Sequence, residues 1–296
     1  MSRADLLVRN AQLVATVDPQ RREIPGGWVA VTDGFVSAVG SSTDPQPSAD
    51  RIIDATDCLV TPGLVNTHHH LYQNLTRAFP PMTNAALFGW LKTLYPLWST
   101  LDEDAAHVSA WVGLAELALS GCTTSTDHLY VHPKGAGDLL SAEIAAARDL
   151  GVRFHPTRGS MSLSEKDGGL PPDNVVQDDD EILSMSADAV NRHHDRSHGA
   201  MVRIALAPCS PFSVTESLMV RSAELAEKLR ESLSGLRDPS WSDGLSVTGS
   251  FGVVQWQEDS PLHMAINQAD AAMYEAKNAG RNRVHLVANR LAAMTL

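Results

Sequence analysis

Between Leu59 and about Leu229 the sequence alternates strand-like and helix-like texture, and this alternation limits the fold more than any other feature. The strand candidates are Leu59–Asn66, Thr123–His128, Val152–Thr157 and Met201–Pro208. Helical patterns separate them. Ser99–Leu119 sets Val108, Trp111, Val112, Ala115 and Leu119 near a 3.6-residue period. Thr100 and Glu103 are spaced as a capping box at its start, and Gly121 stands where a helix stops. Ala136–Leu150 is closed by Gly151. Asp178–His194 opens on four acids that suit the positive end of a helix dipole, and Thr215–Leu229 follows a second possible box, Ser213 to Glu216. Strands joined by helices in this way lie parallel, in an α/β sheet that is either open or curled into a barrel.

The flanks differ. Residues 5–57 read as short strands, with Asp33-Gly34 as a hairpin turn between Trp28–Val31 and Phe35–Val39. Beyond the alternating region, Leu245–Trp256 reads as a strand, Pro261–Ala279 as a helix and Arg283–Ala288 as a strand, with a boundary between Leu229 and Asp243. The expected segments are therefore 1–58, 59–229 and 230–296. A net charge of −12 argues against nucleic acid or an anionic membrane as the main partner. No run is apolar enough to span a bilayer and no signal peptide is visible, so the expected location is cytoplasmic. Cys58, Cys122 and Cys209 are odd in number and widely spaced, which suits free thiols.

The most specific stretch is Pro62-Gly-Leu-Val-Asn-Thr-His68-His69-His70. On a strand, side chains alternate, so His68 and His70 point one way and His69 the other. Two imidazoles together at a strand exit make half of a metal site.

This stretch resembles the strand-one motif of the amidohydrolase superfamily, in which a His-x-His binds zinc or iron. Further segments, His70-Leu-Tyr-Gln73-Asn-Leu-Thr-Arg77, Gly121-Cys-Thr-Thr-Ser-Thr-Asp-His128, Arg153-Phe-His-Pro-Thr-Arg158 and Ala207-Pro-Cys-Ser-Pro-Phe-Ser213, are similar to aminohydrolases of guanine and 8-oxoguanine and to triazine hydrolases. The resemblance runs from residue 1 to about 228. It implies a partial TIM-type (β/α) barrel of about four βα units behind a small N-terminal β domain. It also implies one divalent ion, zinc or iron, and hydrolytic deamination of a small heterocycle by water that the ion acidifies. By the same resemblance His68 and His70 are metal ligands, Gln73 bonds the purine edge and Arg158 faces a base carbonyl. Trp90 lies in a long loop, Pro80 to Tyr95, suited to a lid. His69, His128 and His155 read as structural, and no base near Cys209 supports a nucleophile.

The family completes its site with a His on strand five followed by a Glu, a His on strand six and an Asp on strand eight. Four more βα units would need as many residues again, and fewer than half that number follow Leu229. The His-x-x-Glu segment is absent; His263-Met-Ala-Ile-Asn267 lacks the acid. Instead, Ser246–Val253 and Ala269–Val284 resemble the last third of a GGDEF, or diguanylate cyclase, domain, in a β-α-β tail. In that family the residues at Lys277 and Arg281 contact nucleotide phosphates, but its Gly-Gly-Asp/Glu-Glu-Phe signature is missing. The expectation is an aminohydrolase by ancestry that is inactive as this chain, with a GTP- or cyclic-dinucleotide-binding remnant or a non-functional fusion as the alternative. The open sheet edge favours self-association.

Overall fold

A computed structural model describes residues 3–234, 250–254, 275 and 283–287, and divides the chain into two compact units, Met1–Val65 and Asn66–Leu296. The first unit is all β. β1 (Ala4–Arg9), β4 (Trp28–Thr32), β5 (Phe35–Gly40) and β6 (Ala49–Asp54) form one sheet in the order β5-β4-β1-β6, while β2 (Leu13–Ala15), β3 (Glu23–Pro25) and β7 (Leu59–Val60) form another, β3-β2-β7. Asp33 and Gly34 both take positive φ between β4 and β5, the requirement of a two-residue hairpin turn. Leu7, Trp28 and Ala30 are buried together, and the Trp28 indole N–H donates to the Ser41 carbonyl at 2.9 Å.

The unit boundary falls inside β8 (Leu64–Asn66). After it come a 3₁₀ turn, Leu71–Thr76, then α1 (Leu87–Trp98), α2 (Glu103–Leu119), β9 (Cys122–Leu129), α3 (Leu139–Leu150), β10 (Arg153–Ser160), α4 (Asp179–His193), β11 (Ala205–Pro208) and α5 (Glu216–Ser234). The sheet order is β11-β10-β9-β8, with β10 parallel to both β9 and β11. This is the curled half-barrel that the alternating texture and the resemblance predict. Its helix-facing side buries Leu129, Phe154, Leu114, Ile144 and Trp98 in one core. Along β9, Ser125, Asp127 and Leu129 are buried, whereas Thr124, Thr126 and His128 are only half-buried. The second set faces the lumen.

Three local expectations change. Pro80 to Tyr95 is not one long loop. Residues from Leu87 onward form α1, because Leu91, Leu94, Tyr95 and Trp98 make a buried helical stripe that outweighs Gly89 and Pro96. Asp102, not Thr100, caps α2 by accepting the Ala105 N–H at 2.8 Å, and Glu103 instead accepts the Asp138 N–H at 2.7 Å. Thr215 Oγ1 accepts the Leu218 N–H at 3.1 Å at the start of α5, where Ser213 was expected to act. The α3 stop is as read, with Gly151 left-handed at φ 70°. In the tail, β12 (Ser250–Val254) and β13 (Arg283–Val287) pair in parallel; the helix expected over 261–279 lies outside the described residues, Glu275 excepted.

Gly159 sits where β10 passes the end of β9, and a Cβ there would lie 2.4 Å from the Leu129 carbonyl oxygen and 2.7 Å from Tyr130 Cβ. Backbone cannot step aside as a flexible side chain can. Gly159→Ala is expected to cost about 1–3 kcal/mol, the usual range for overpacking, measured as a lowered urea midpoint; an unchanged midpoint would show that the two strands part freely here.

Candidate functional site

The three histidines follow β8 directly, and β9 holds the chain that carries them. The His128 N–H donates to the His69 carbonyl at 2.9 Å. The Leu71 N–H donates to Asp127 Oδ1 at 2.6 Å. His70 Nδ1 lies 2.9 Å from the His128 carbonyl oxygen. A carbonyl only accepts, so Nδ1 carries the proton and Nε2 of His70 keeps its lone pair, the state a metal ligand needs. The His68 and His70 rings stand edge to face with centroids 5.2 Å apart. The buried Nδ1 of His69 meets no hydrogen-bond partner, and that ring feels the charges of Arg77 and Glu116.

His128 adds a third imidazole, its centroid 5.3 Å from that of His70, and its Nε2 donates to the Ala207 carbonyl at 3.0 Å. Burial pulls the His70 pKa down and that of His128 down to about 4, so His128 is neutral at pH 7. A cavity of about 320 Å³ opens among Thr67, His68, His70, His128, His155 and Thr157. The strand register accounts for this grouping: His155 is opposite Thr126 and Thr157 opposite His128, all on the lumen face. The sequence alone reads His128 and His155 as structural. Their parity along each strand was the signal that they share a face with the histidine pair.

The other candidates lie elsewhere. Arg158 shares parity with Phe154 and is buried on the helix side, where it donates to Gln177 Oε1 at 2.6 Å and to the Gly159 carbonyl; burial lowers its pKa to about 10. Gln73 is half-buried in the 3₁₀ turn and donates to the Tyr72 hydroxyl at 3.3 Å. Trp90 packs edge-on against Trp98, centroids 5.1 Å apart, on α1. None of these three lines the histidine cavity. Lys277 and Arg281 lie outside the described residues.

A metal can be tested against these groups. His68 and His70 offer two adjacent nitrogens, one with its tautomer fixed. Among the described residues, however, no three His, Cys, Asp or Glu side chains are grouped to hold an ion. A catalytic zinc takes three protein ligands and an open position. The pair fits half of such a site and does not complete it.

Behind the histidines lies a second buried pair. Glu143, on the apolar face of α3, meets the Asp127 carboxyl. Burial raises both pKa values, Asp127 to about 7, and the nearby Asp127 charge raises that of Glu143 further.

Comparison with known proteins fits this architecture. The amidohydrolase family profile matches residues 59–234, more than half of the sequence, and the chain belongs to that family. The diguanylate cyclase GGDEF profile matches residues 214–283, so the two matches overlap along α5. An 8-oxoguanine deaminase of Pseudomonas aeruginosa is 50% identical over 204 residues, 68% of this chain and 45% of the relative. An isoxanthopterin deaminase from an unknown prokaryote is 34% identical over 233 residues, 75% of this chain and 48% of the relative. A zinc complex of the Arthrobacter aurescens atrazine chlorohydrolase superposes with a TM-score of 0.71 at 30% identity, over 76% of this chain and 51% of that one. The chain spans about half the length of the curated relatives it matches. Among the described residues no helix is long and apolar enough to cross a membrane.

The carboxyl pair makes stability depend on pH. Asp127 and Glu143 have folded pKa values above the roughly 4 of the unfolded chain. From about pH 4 to about 7 the folded state therefore keeps protons that the unfolded state gives up, and stability falls as pH rises through that window. Glu143→Gln is expected to flatten this fall, seen as urea midpoints that differ less between pH 5 and pH 7 than in the parent. Parallel profiles would show that Glu143 keeps no extra proton in the folded state.

Proposed function

We propose that the chain is the first half of a metal-dependent aminohydrolase for purine-type heterocycles of the 8-oxoguanine or guanine class, and that alone it does not deaminate them. The observation that carries this reading is the His68–His70 pair at the exit of β8, above a lumen lined by His128 and His155. The deaminase relatives support the substrate class. His68 and His70 would hold one zinc or iron ion, which when bound acidifies water for attack on an amine-bearing ring carbon. The turn after His70 carries Gln73, whose amide suits the donor and acceptor edge of a purine. Segments 1–58, 59–229 and 230–296 are the proposed domains.

The purified chain is expected to hold zinc or iron well below one ion per chain after dialysis and to release no ammonia from guanine or 8-oxoguanine above the level of a His68→Ala control. Stoichiometric metal with His68-dependent turnover would reverse the inactivity proposal.

The GGDEF match at 214–283 favours a second reading, a nucleotide-binding remnant. It predicts heat of binding for GTP or cyclic di-GMP that disappears in Lys277→Ala with Arg281→Ala. Calorimetry showing no binding to the parent chain ends that reading.

A further inference from the structure

The parallel sheet ends at β8 on one side and at β11 on the other, and among the described residues no strand pairs with either outer edge. The helix layer is incomplete at the same two places. α2 packs against α3 and buries Ala106, Ala110 and Leu114, yet it exposes Val108, Trp111, Val112 and Leu119, the last 90% exposed. These recur at i, i+3, i+4 and i+11, one stripe on one face. α5 exposes Met219 and Val220, whereas α3, in the middle of the arc, exposes no large apolar side chain. Exposed apolar side chains thus gather at the two ends of the arc, a stripe on α2 and an adjacent pair on α5, with only Met185 of α4 between them, which fits an arc that lacks a neighbour on each side. Four parallel strands are half of the eight that close a barrel.

We propose that a second copy of this chain closes the arc, with β11 of each copy beside β8 of the other. The two-fold axis then runs along the barrel. Rotation about it keeps all eight strands parallel and makes two identical seams, so association closes at two chains. α2 of each copy meets α5 of the other, which covers the α2 stripe together with Met219 and Val220. A second copy is favoured over an unrelated partner because one chain carries both halves of the seam.

The same symmetry completes the metal site, and this part rests on the reading of His68 and His70 given above. The rotation sets the two His68–His70 pairs opposite each other, at the ends of strands one and five of the composite barrel. An eight-stranded barrel is just wide enough for side chains to fill. Four imidazoles therefore converge on the axis, a donor set that suits a tetrahedral ion.

Sedimentation equilibrium of the full chain, with and without cobalt(II), tests this. The expected mass is twice 31.9 kDa. Trp111→Glu with Val112→Lys, both at exposed positions, should give a monomer with an unchanged circular dichroism spectrum. Cobalt should bind at one ion per two chains with the visible absorption of a tetrahedral site, and that band should vanish in this variant and in His68→Ala with His70→Ala. A monomer at every concentration overturns the proposal. So does a dimer that survives the α2 substitutions, one cobalt per chain, or a monomer that instead captures the strand five-to-eight half of an 8-oxoguanine deaminase. A dimer broken by the α2 substitutions whose cobalt ignores the histidine variants supports the seam and removes the metal reading.

Discussion

A chain that leaves a sheet through three consecutive histidines has to satisfy its backbone somewhere, and here it does so on the neighbouring strand. Asp127 takes the Leu71 N–H, the His128 N–H takes the His69 carbonyl, and the His128 carbonyl takes the proton of His70 Nδ1. These contacts bracket the pair of imidazoles and fix which nitrogen of His70 faces outward. A buried carboxylate would be costly alone. Burial instead raises its pKa to about 7, so Asp127 holds the Leu71 N–H from a site that disfavours the full charge.

The division of labour between the two faces of the sheet follows from strand parity. From Thr124 onward, the odd-numbered residues of β9 turn to the helices and are buried, while the even-numbered ones turn to the lumen and are Thr, Thr and His. On β10 the lumen set is His155, Thr157 and Gly159, and on β11 it is Ala205 and Ala207. A lumen of small and polar groups can meet water without the penalty that an exposed Leu or Phe layer would bring. An arc of four strands is thus tolerable as a folded object, while α2 at its end retains the exposed apolar stripe of a larger one.

Much of this was legible in the sequence. The alternation of texture gave the four parallel strands, and Pro62 to His70 gave the lineage and the facing of His68 and His70. α1 was hidden because Gly89 and Pro96 read as breakers, although Leu91, Leu94 and Trp98 keep helical spacing. Arg158 reads as a ligand-facing cation at a strand end, but its parity with Phe154 places it on the helix side. Glu143 was visible as an acid among Leu140, Ile144 and Ala147. Its partner was not, because nothing local joins residue 143 to residue 127. The cap on α2 moved by two residues because Asp102 competes better for the free N–H groups than Thr100.

α5 belongs to both family matches, and it continues without a break to Ser234. A helix is a screw: each residue advances the chain by about 1.5 Å and turns it by about 100°. Two ancestral proteins could be spliced inside such an element at any point where their apolar residues keep step, since neither would lose its hydrogen-bonding pattern at the joint. The splice then acts as a protractor. Adding or removing one residue within α5 would turn its last peptide group by about 100° while leaving the pairings of the sheet untouched.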